Sequence, residues 1–324
     1  MKILAPVSHP NEVDALIKAG ASQLYCGVLP KEWRNTYTNI APPNRREYAG
    51  ANLSSWTQLK EVIIRSSKHK IGVMFTLNTD YAKSQYPQII EYAKKAVSLG
   101  ISGLLVADLS LVYLLKKKNI NIPIYMSVVN PSFNSKTIGL FRSMGIKMIT
   151  LDRHFSLKEI KMIVLSNPGM QFELFVLNAG SKNVDGFCGF CHGISELKTK
   201  KPEVIFDSAA CYLNYNVKPQ GAAKRGSLSI AERIKKAFPY QYSGRKVCAA
   251  CYLPYFLEWG INTAKIAGRD FPTEMKIKDI QFIKNLLEYI KNRKVKKEEY
   301  FCFTRALFKK IYGFECGGFC YYSQ

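Results

Sequence analysis

Short runs of aliphatic and β-branched residues recur along the chain, separated by longer stretches in which apolar side chains return every three or four positions. The short runs are 2–5, 23–27, 72–77, 103–107, 123–127, 147–151, 172–177 and 262–266, eight segments of strand length. Helical periodicity occupies 10–18, 54–65, 87–99, 109–117, 135–144, 156–165 and 274–291. Asn52, Ser54 and Ser156 stand before such stretches as helix starts, and Ser156 with Glu159 three residues on forms a capping-box pattern. Gly20, Gly100 and Gly145 stand where one helix ends and the next strand begins.

Strand and helix in regular alternation, with buried-looking strands and short turns, predict a parallel sheet clothed by helices. Eight such units predict a closed (β/α)8 TIM-like barrel, with the residues just after each strand lining one face. An open, doubly wound sheet is the alternative. One interval breaks the rhythm: residues 178–261 separate strands seven and eight, far beyond the roughly 2–6 residues of an ordinary βα loop. This divides the chain into a barrel domain, 1–275, with a long cysteine-bearing insertion at 178–261, and a C-terminal helix with a basic, aromatic tail, 276–324. Within the latter, 292–324 reads as an appendage.

Charge and cysteine then add candidate chemistry. Lysine and arginine number 47 against 24 acidic residues, a formal charge of +23, which favours a polyanionic partner through counterion release. Solvated lysine-rich faces such as 116–118 are the bland reading of the same surplus. No apolar run approaches the roughly 20 residues of a spanning helix, and no export signal opens the chain, so the expectation is a soluble, cytoplasmic protein. In that compartment nine cysteines point to a metal or cluster rather than disulfides. Five of them, Cys188, Cys191, Cys211, Cys248 and Cys251, lie in the insertion. Their Cys-x-x-Cys spacing suits either structural zinc or an iron–sulfur cluster, and spacing alone does not separate the two. Cys188–His192 also has the form that attaches c-type haem, which the missing export signal argues against.

Several phrases in order along the chain resemble the U32 family, the collagenase-like "peptidase U32" proteins. They are Leu4-Ala5-Pro6, Ala19-Gly20-Ala21 with Leu24-Tyr25-Cys26-Gly27, Asn52-Leu53-Ser54, Thr76-Leu77-Asn78-Thr79, Leu151-Asp152-Arg153 with Phe155 to Ile160, Glu173-Leu174-Phe175-Val176, and Gly260 to Arg269. The resemblance covers most of 1–275. It implies an oxygen-sensitive [4Fe–4S] cluster on four cysteines, with Cys188, Cys211 and Cys248 at family positions. Ser181 stands where the family has its first cysteine, so Cys191 is taken as the replacement, with Cys251 as a substitute. His154 stands where the family usually has Glu. Cys302, Cys316 and Cys320 fall where no match is evident, as a further site or as reduced thiols.

The activity that the resemblance implies is divided between peptide hydrolysis and oxygen-independent hydroxylation of tRNA or rRNA pyrimidines or of a quinone precursor, with prephenate as the oxygen donor for the RNA branch. A peptidase needs an activated nucleophile or a hydrolytic metal. The sequence offers no Gly-x-Ser-x-Gly elbow, no His-Glu-x-x-His helix and only four histidines. The expectation is therefore an iron–sulfur-dependent enzyme modifying RNA, possessing an accessory subunit or forming a homo-oligomer. A U32-type peptidase and a zinc-stapled nucleic-acid-binding protein are the alternatives. Arg153, Lys265 and Arg269, at the ends of strands six and eight, are the catalytic candidates, able to grip a carboxylate donor or substrate phosphates. An ion pair with Glu173 or Asp152 that merely braces the barrel is their alternative role. Asn78, Asn130 and Glu173 are the candidate substrate-binding residues.

Overall fold

The computed structural model describes residues 1–37, 42–46, 49–178, 184–188, 246–291, 296–318 and 320–322. Its eight strands are β1 (Lys2–Pro6), β2 (Gln23–Cys26), β3 (Val73–Leu77), β4 (Gly103–Val106), β5 (Ile124–Met126), β6 (Met148–Thr150), β7 (Gln171–Leu177) and β8 (Thr263–Ile266). They close in chain order into one parallel barrel, with β8 pairing back on β1 through Lys2↔Thr263 and Leu4↔Lys265. The expected (β/α)8 architecture is the observed one. An open, doubly wound sheet would instead have two edge strands and no closing β8–β1 pair.

Between the strands run α1 (Val13–Ala19), α2 (Lys31–Thr36), α3 (Trp56–Ser67), α4 (Tyr86–Leu99), α5 (Leu109–Lys117), α6 (Ser135–Ser143), α7 (Leu157–Leu165) and α8 (Leu253–Glu258), and α9 (Thr273–Lys291) and α10 (Lys297–Tyr312) follow β8. The capping box is realised at α7, where Ser156 Oγ accepts from the Glu159 amide and the Ser156 amide donates to Glu159 Oε2 at 2.7 Å. At α3 the cap is Ser55, not Asn52 or Ser54: its hydroxyl accepts from the Gln58 amide. Asn52 serves elsewhere, accepting from Asn44 Nδ2 at 2.7 Å and donating to the Arg46 carbonyl at 2.7 Å. Gly100 closes α4 at φ +97, a left-handed turn that a side chain would strain.

Alternation along each strand sends one set of side chains to the helices and the other into the barrel. Inside, Leu4, Tyr25, Met74 and Met148 form a small apolar plug with Tyr125 against it. Outside, residues such as Leu24, Phe172, Leu174 and Val176 join the large core shared with the helices. Above the plug the interior turns polar, and the candidate residues stand there.

Two segments beyond the barrel pattern lean on its C-terminal rim. The chain returns at 246–250 beside β7, with the Ala249 amide donating to the Val176 carbonyl at 2.9 Å and an antiparallel bridge between Leu177 and Cys248. Residues 320–322 then lie beside that return through a parallel bridge between Cys248 and Cys320. Buried Asp279 of α9 ties the corner together, accepting from Asn178 Nδ2 and Lys246 Nζ at 2.6 Å each and from the Tyr312 hydroxyl at 2.7 Å. α10, which the sequence reading did not distinguish from the tail, buries Tyr300, Thr304 and Phe308 on one face at a spacing of four. Among the described residues, no helix is long and apolar enough to cross a membrane.

Candidate functional site

The C-terminal mouth of the barrel collects a dense set of paired charges. Glu173, third residue of β7, points inward and is fully buried. Its Oε1 accepts from Lys265 Nζ on neighbouring β8 and from Thr150 Oγ1 on neighbouring β6, both at 2.8 Å. Lys265 Nζ also lies 4.9 Å from the Tyr25 ring centroid and 5.3 Å from that of Phe175. The parallel registers Thr150↔Glu173 and Phe175↔Lys265 bring these residues together.

Arg269, in the turn after β8, is buried. It donates from Nη1 to Thr76 Oγ1 at 3.2 Å and from Nη2 to the Asn44 carbonyl at 2.9 Å. Thr76 passes the link on to the Cys26 carbonyl at 3.0 Å. Asn44, itself fully buried, bonds the Val28 carbonyl and Asn52, so the 42–46 segment is fastened across the β2 end of the mouth. Asn78 donates to Ser127 Oγ at 3.3 Å, whereas Asn130 is spent on the Ala107 carbonyl at 2.7 Å. Among the described residues, Glu173 Oε2 and Asn78 Oδ1 are buried acceptors without a hydrogen-bond partner. Such groups are costly unless something supplies a donor.

Beyond β6 the sequence Asp152-Arg153-His154 splits its charges between two carboxylates. Arg153 forms a two-pronged ion pair with buried Asp185, with Nε to Oδ2 at 2.8 Å, and its amide donates to the same oxygen at 3.2 Å. Its guanidinium carbon sits 4.7 Å from the Phe175 ring centroid. Asp152 Oδ1 accepts from the His154 amide at 2.8 Å and from the ring Nδ1 at 2.9 Å, and Oδ2 accepts from the Gly186 amide at 3.2 Å. The Asp152, His154 and Asp185 ligand atoms all lie within 4.8 Å of one another, with both carboxylates already engaged in these hydrogen bonds. Sequence reasoning offered Asp152 or Glu173 as ion-pair partners for the cations. Glu173 takes Lys265, and Arg153 goes to Asp185, a partner 32 positions away that carried no local signal.

Burial works against the Asp152 carboxylate, yet the hydrogen bonds from His154 outweigh it and hold its pKa below the usual range. The same hydrogen bond raises the pKa of His154, against partial burial. The folded state therefore keeps the imidazolium to higher pH than the unfolded chain does. That stabilisation is complete below the ordinary histidine value of about 6.5 and fades as pH climbs through the raised one. The Asp152 contribution is present above its ordinary value near 4 and is lost as pH falls through the depressed one. His154→Gln should thus cost most between about pH 4 and 6.5 and progressively less above. Urea unfolding across a pH series measures this, and a cost independent of pH would contradict it.

The expected cluster ligands divide. Cys191 and Cys211, with Ser181, lie outside the described residues. Cys188 ends the short turn carrying Asp185, and its carbonyl accepts from Arg45 at 2.7 Å. Cys248 is buried beside the end of β7, next to Cys320.

Comparison with known proteins places these observations in a lineage. The family model described as peptidase family U32 matches residues 8–314. The tRNA hydroxylation protein P of Escherichia coli (strain K12) is 28% identical over 151 residues, 46% of this chain and 33% of the relative. Its Haemophilus influenzae namesake is 26% identical over 122 residues, 37% of this chain and 26% of the relative. The alignments thus span a third or less of these curated relatives. Among solved structures, the U32 peptidase Mk0906 aligns with a TM-score of 0.43 at 13% identity, covering 54% of this chain and 68% of that one. A dihydrodipicolinate synthetase homologue from Pseudomonas aeruginosa aligns with a TM-score of 0.47 at 9% identity, covering 95% and 80%.

Proposed function

The chain belongs to peptidase family U32, and from that premise we propose that it is an enzyme that hydroxylates or otherwise modifies tRNA, using an iron–sulfur cluster and no molecular oxygen. The observation that carries this reading is the alignment over 151 residues with a protein named for tRNA hydroxylation. The formal charge of +23 supports it by suiting a polyanion. So does the mouth of the barrel, where Glu173 Oε2 and Asn78 Oδ1 would accept hydrogen bonds from an inserted nucleobase or a small co-substrate. A carboxylate oxygen donor such as prephenate would find Arg153, Lys265 and Arg269 grouped around Phe175 and Thr76.

The donor chemistry on this rim fits a thiophilic group, since Cys248 has further thiols beside it. When bound, an iron–sulfur cluster supplies one-electron chemistry next to the mouth. The chain's own part is positional. The Lys265–Glu173 pair fixes the floor, Arg269 fastens the 42–46 segment across one side, and the Arg153–Asp185 pair holds the turn ending in Cys188 at the other.

Mass spectrometry of nucleosides from total tRNA of a deletion strain, with and without the restored gene, tests the reading. Loss of an oxygen-bearing pyrimidine on deletion and its return on complementation are expected, and an unchanged nucleoside profile would refute it. Affinity of the purified protein for tRNA should also fall steeply with salt, with a log–log slope of several units. A flat profile would point to a small molecule or a peptide instead.

A further inference from the structure

Two cysteines of the C-terminal segment, Cys316 and Cys320, lie beyond the residues that the U32 family model matches, and yet the fold carries them to the rim of the barrel. The parallel bridge sets the Cys320 backbone against that of Cys248, and the Tyr321 amide donates to the Cys248 carbonyl at 3.0 Å. Cys251 follows one turn later on the short helix Ala250–Tyr252, which α10 braces through the Tyr300 hydroxyl on the Ala250 carbonyl at 2.9 Å. Cys316 comes three residues after α10 stops at Gly313, and it packs against the core. A second left-handed glycine, Gly318 at φ +73, stands between Cys316 and Cys320. All four are thiols, none in a disulfide.

We infer that Cys248, Cys251, Cys316 and Cys320 form a four-thiolate site for a thiophilic metal centre, built jointly by the segment returning beside β7 and by the C-terminal tail. Thiolates in this number select zinc or iron–sulfur clusters over hard cations. Tetrahedral zinc at about 2.3 Å from each sulfur would need sulfurs roughly 3.8 Å apart. Among the described residues, no three of these sulfurs all lie within 4.8 Å of one another. Burial raises the Cys248 thiol, and the Cys320, Cys251 and Cys316 thiolates add to the shift by repulsion, which places all four within electrostatic reach. Burial likewise pushes Cys251 up to about 12. A coordinated metal deprotonates such thiols outright. Arg305 of α10 opposes the repulsion at Cys251 and Cys320, as a cation beside an anionic centre should. The assignment differs from the Cys188, Cys191, Cys211 and Cys248 set, and it stands independently of the RNA reading because metal is measured without RNA.

The full chain, purified anaerobically and reconstituted with ferrous iron and sulfide or with zinc, is alkylated with iodoacetamide and mapped by mass spectrometry. Cys248, Cys251, Cys316 and Cys320 should be protected together and exposed together on chelation, while surface Cys302 reacts throughout. Visible absorption with iron and sulfide identifies a cluster, and colourless protein with stoichiometric zinc identifies a zinc site. Cys316→Ser/Cys320→Ser should weaken metal binding beyond the roughly 10–100-fold seen when only a residue supporting a ligand is lost, whereas Cys302→Ser leaves it intact. Metal that stays bound while Cys316 and Cys320 react as fast as Cys302 overturns the assignment, as does failure to take up either metal.

Discussion

Glu173→Gln is expected to destabilise the protein by about 3–5 kcal/mol, because it leaves the Lys265 ammonium buried without its counter-charge. The carboxylate is wholly shielded from solvent and Lys265 is 4% exposed, so water cannot take over. The amide retains an oxygen for Thr150 Oγ1 and Lys265 Nζ, which separates loss of charge from loss of hydrogen-bond geometry. Glu173→Gln/Lys265→Met removes the charges together and should recover most of the loss, since paired burial of opposite charges is close to neutral overall. Urea unfolding of the parent, both single variants and the double variant closes the cycle. A Glu173→Gln protein within about 1 kcal/mol of the parent would mean that the pair is solvated and does not brace the barrel floor.

Tyr322→Ala should cost a similar amount, about 3–5 kcal/mol, although the residue is third from the C-terminus. Its ring is 1% exposed and meets Phe256 edge-on at 5.7 Å between centroids. Its hydroxyl donates to the Phe175 carbonyl at 3.0 Å, and its amide reaches the Arg153 carbonyl at 3.4 Å. Removing the ring leaves a cavity between β7 and α8. Tyr322→Phe keeps the packing and forfeits one buried hydrogen bond, at about 1–3 kcal/mol. Thermal or urea unfolding would rank the two variants, and a Tyr322→Ala protein as stable as the parent would detach the tail from the barrel.

Local patterning made much of this molecule legible. A strand of a closed parallel barrel is buried on both faces, so β4 advertises itself as a continuous apolar run and β3 departs from one only at Thr76. Helix punctuation is equally local: Ser156 with Glu159 and the glycine closing α4 need only their own neighbours. Ser55 in place of Ser54 shows the limit, because adjacent hydroxyls compete and the helix axis chooses between them. α10 was hidden by its composition. Its buried residues, Tyr300, Thr304 and Phe308, make a stripe set among other apolar residues, exposed Phe301 included, and flanked by glutamate and lysine, which dilutes the apolar period.

What the sequence determined by itself is the barrel, its chain order and the rank of residues at the strand ends, because period, capping and spacing act over a few residues. Only the tertiary structure decided who pairs with whom. Arg153 finds Asp185 rather than its neighbour Asp152, Arg269 finds Thr76 across 193 positions, and Cys248 finds Cys320 rather than a residue of its own segment. Those partners are set by ring closure and by the path of the returning chain, which bring distant residues within 3 Å or so. No local pattern encodes that proximity.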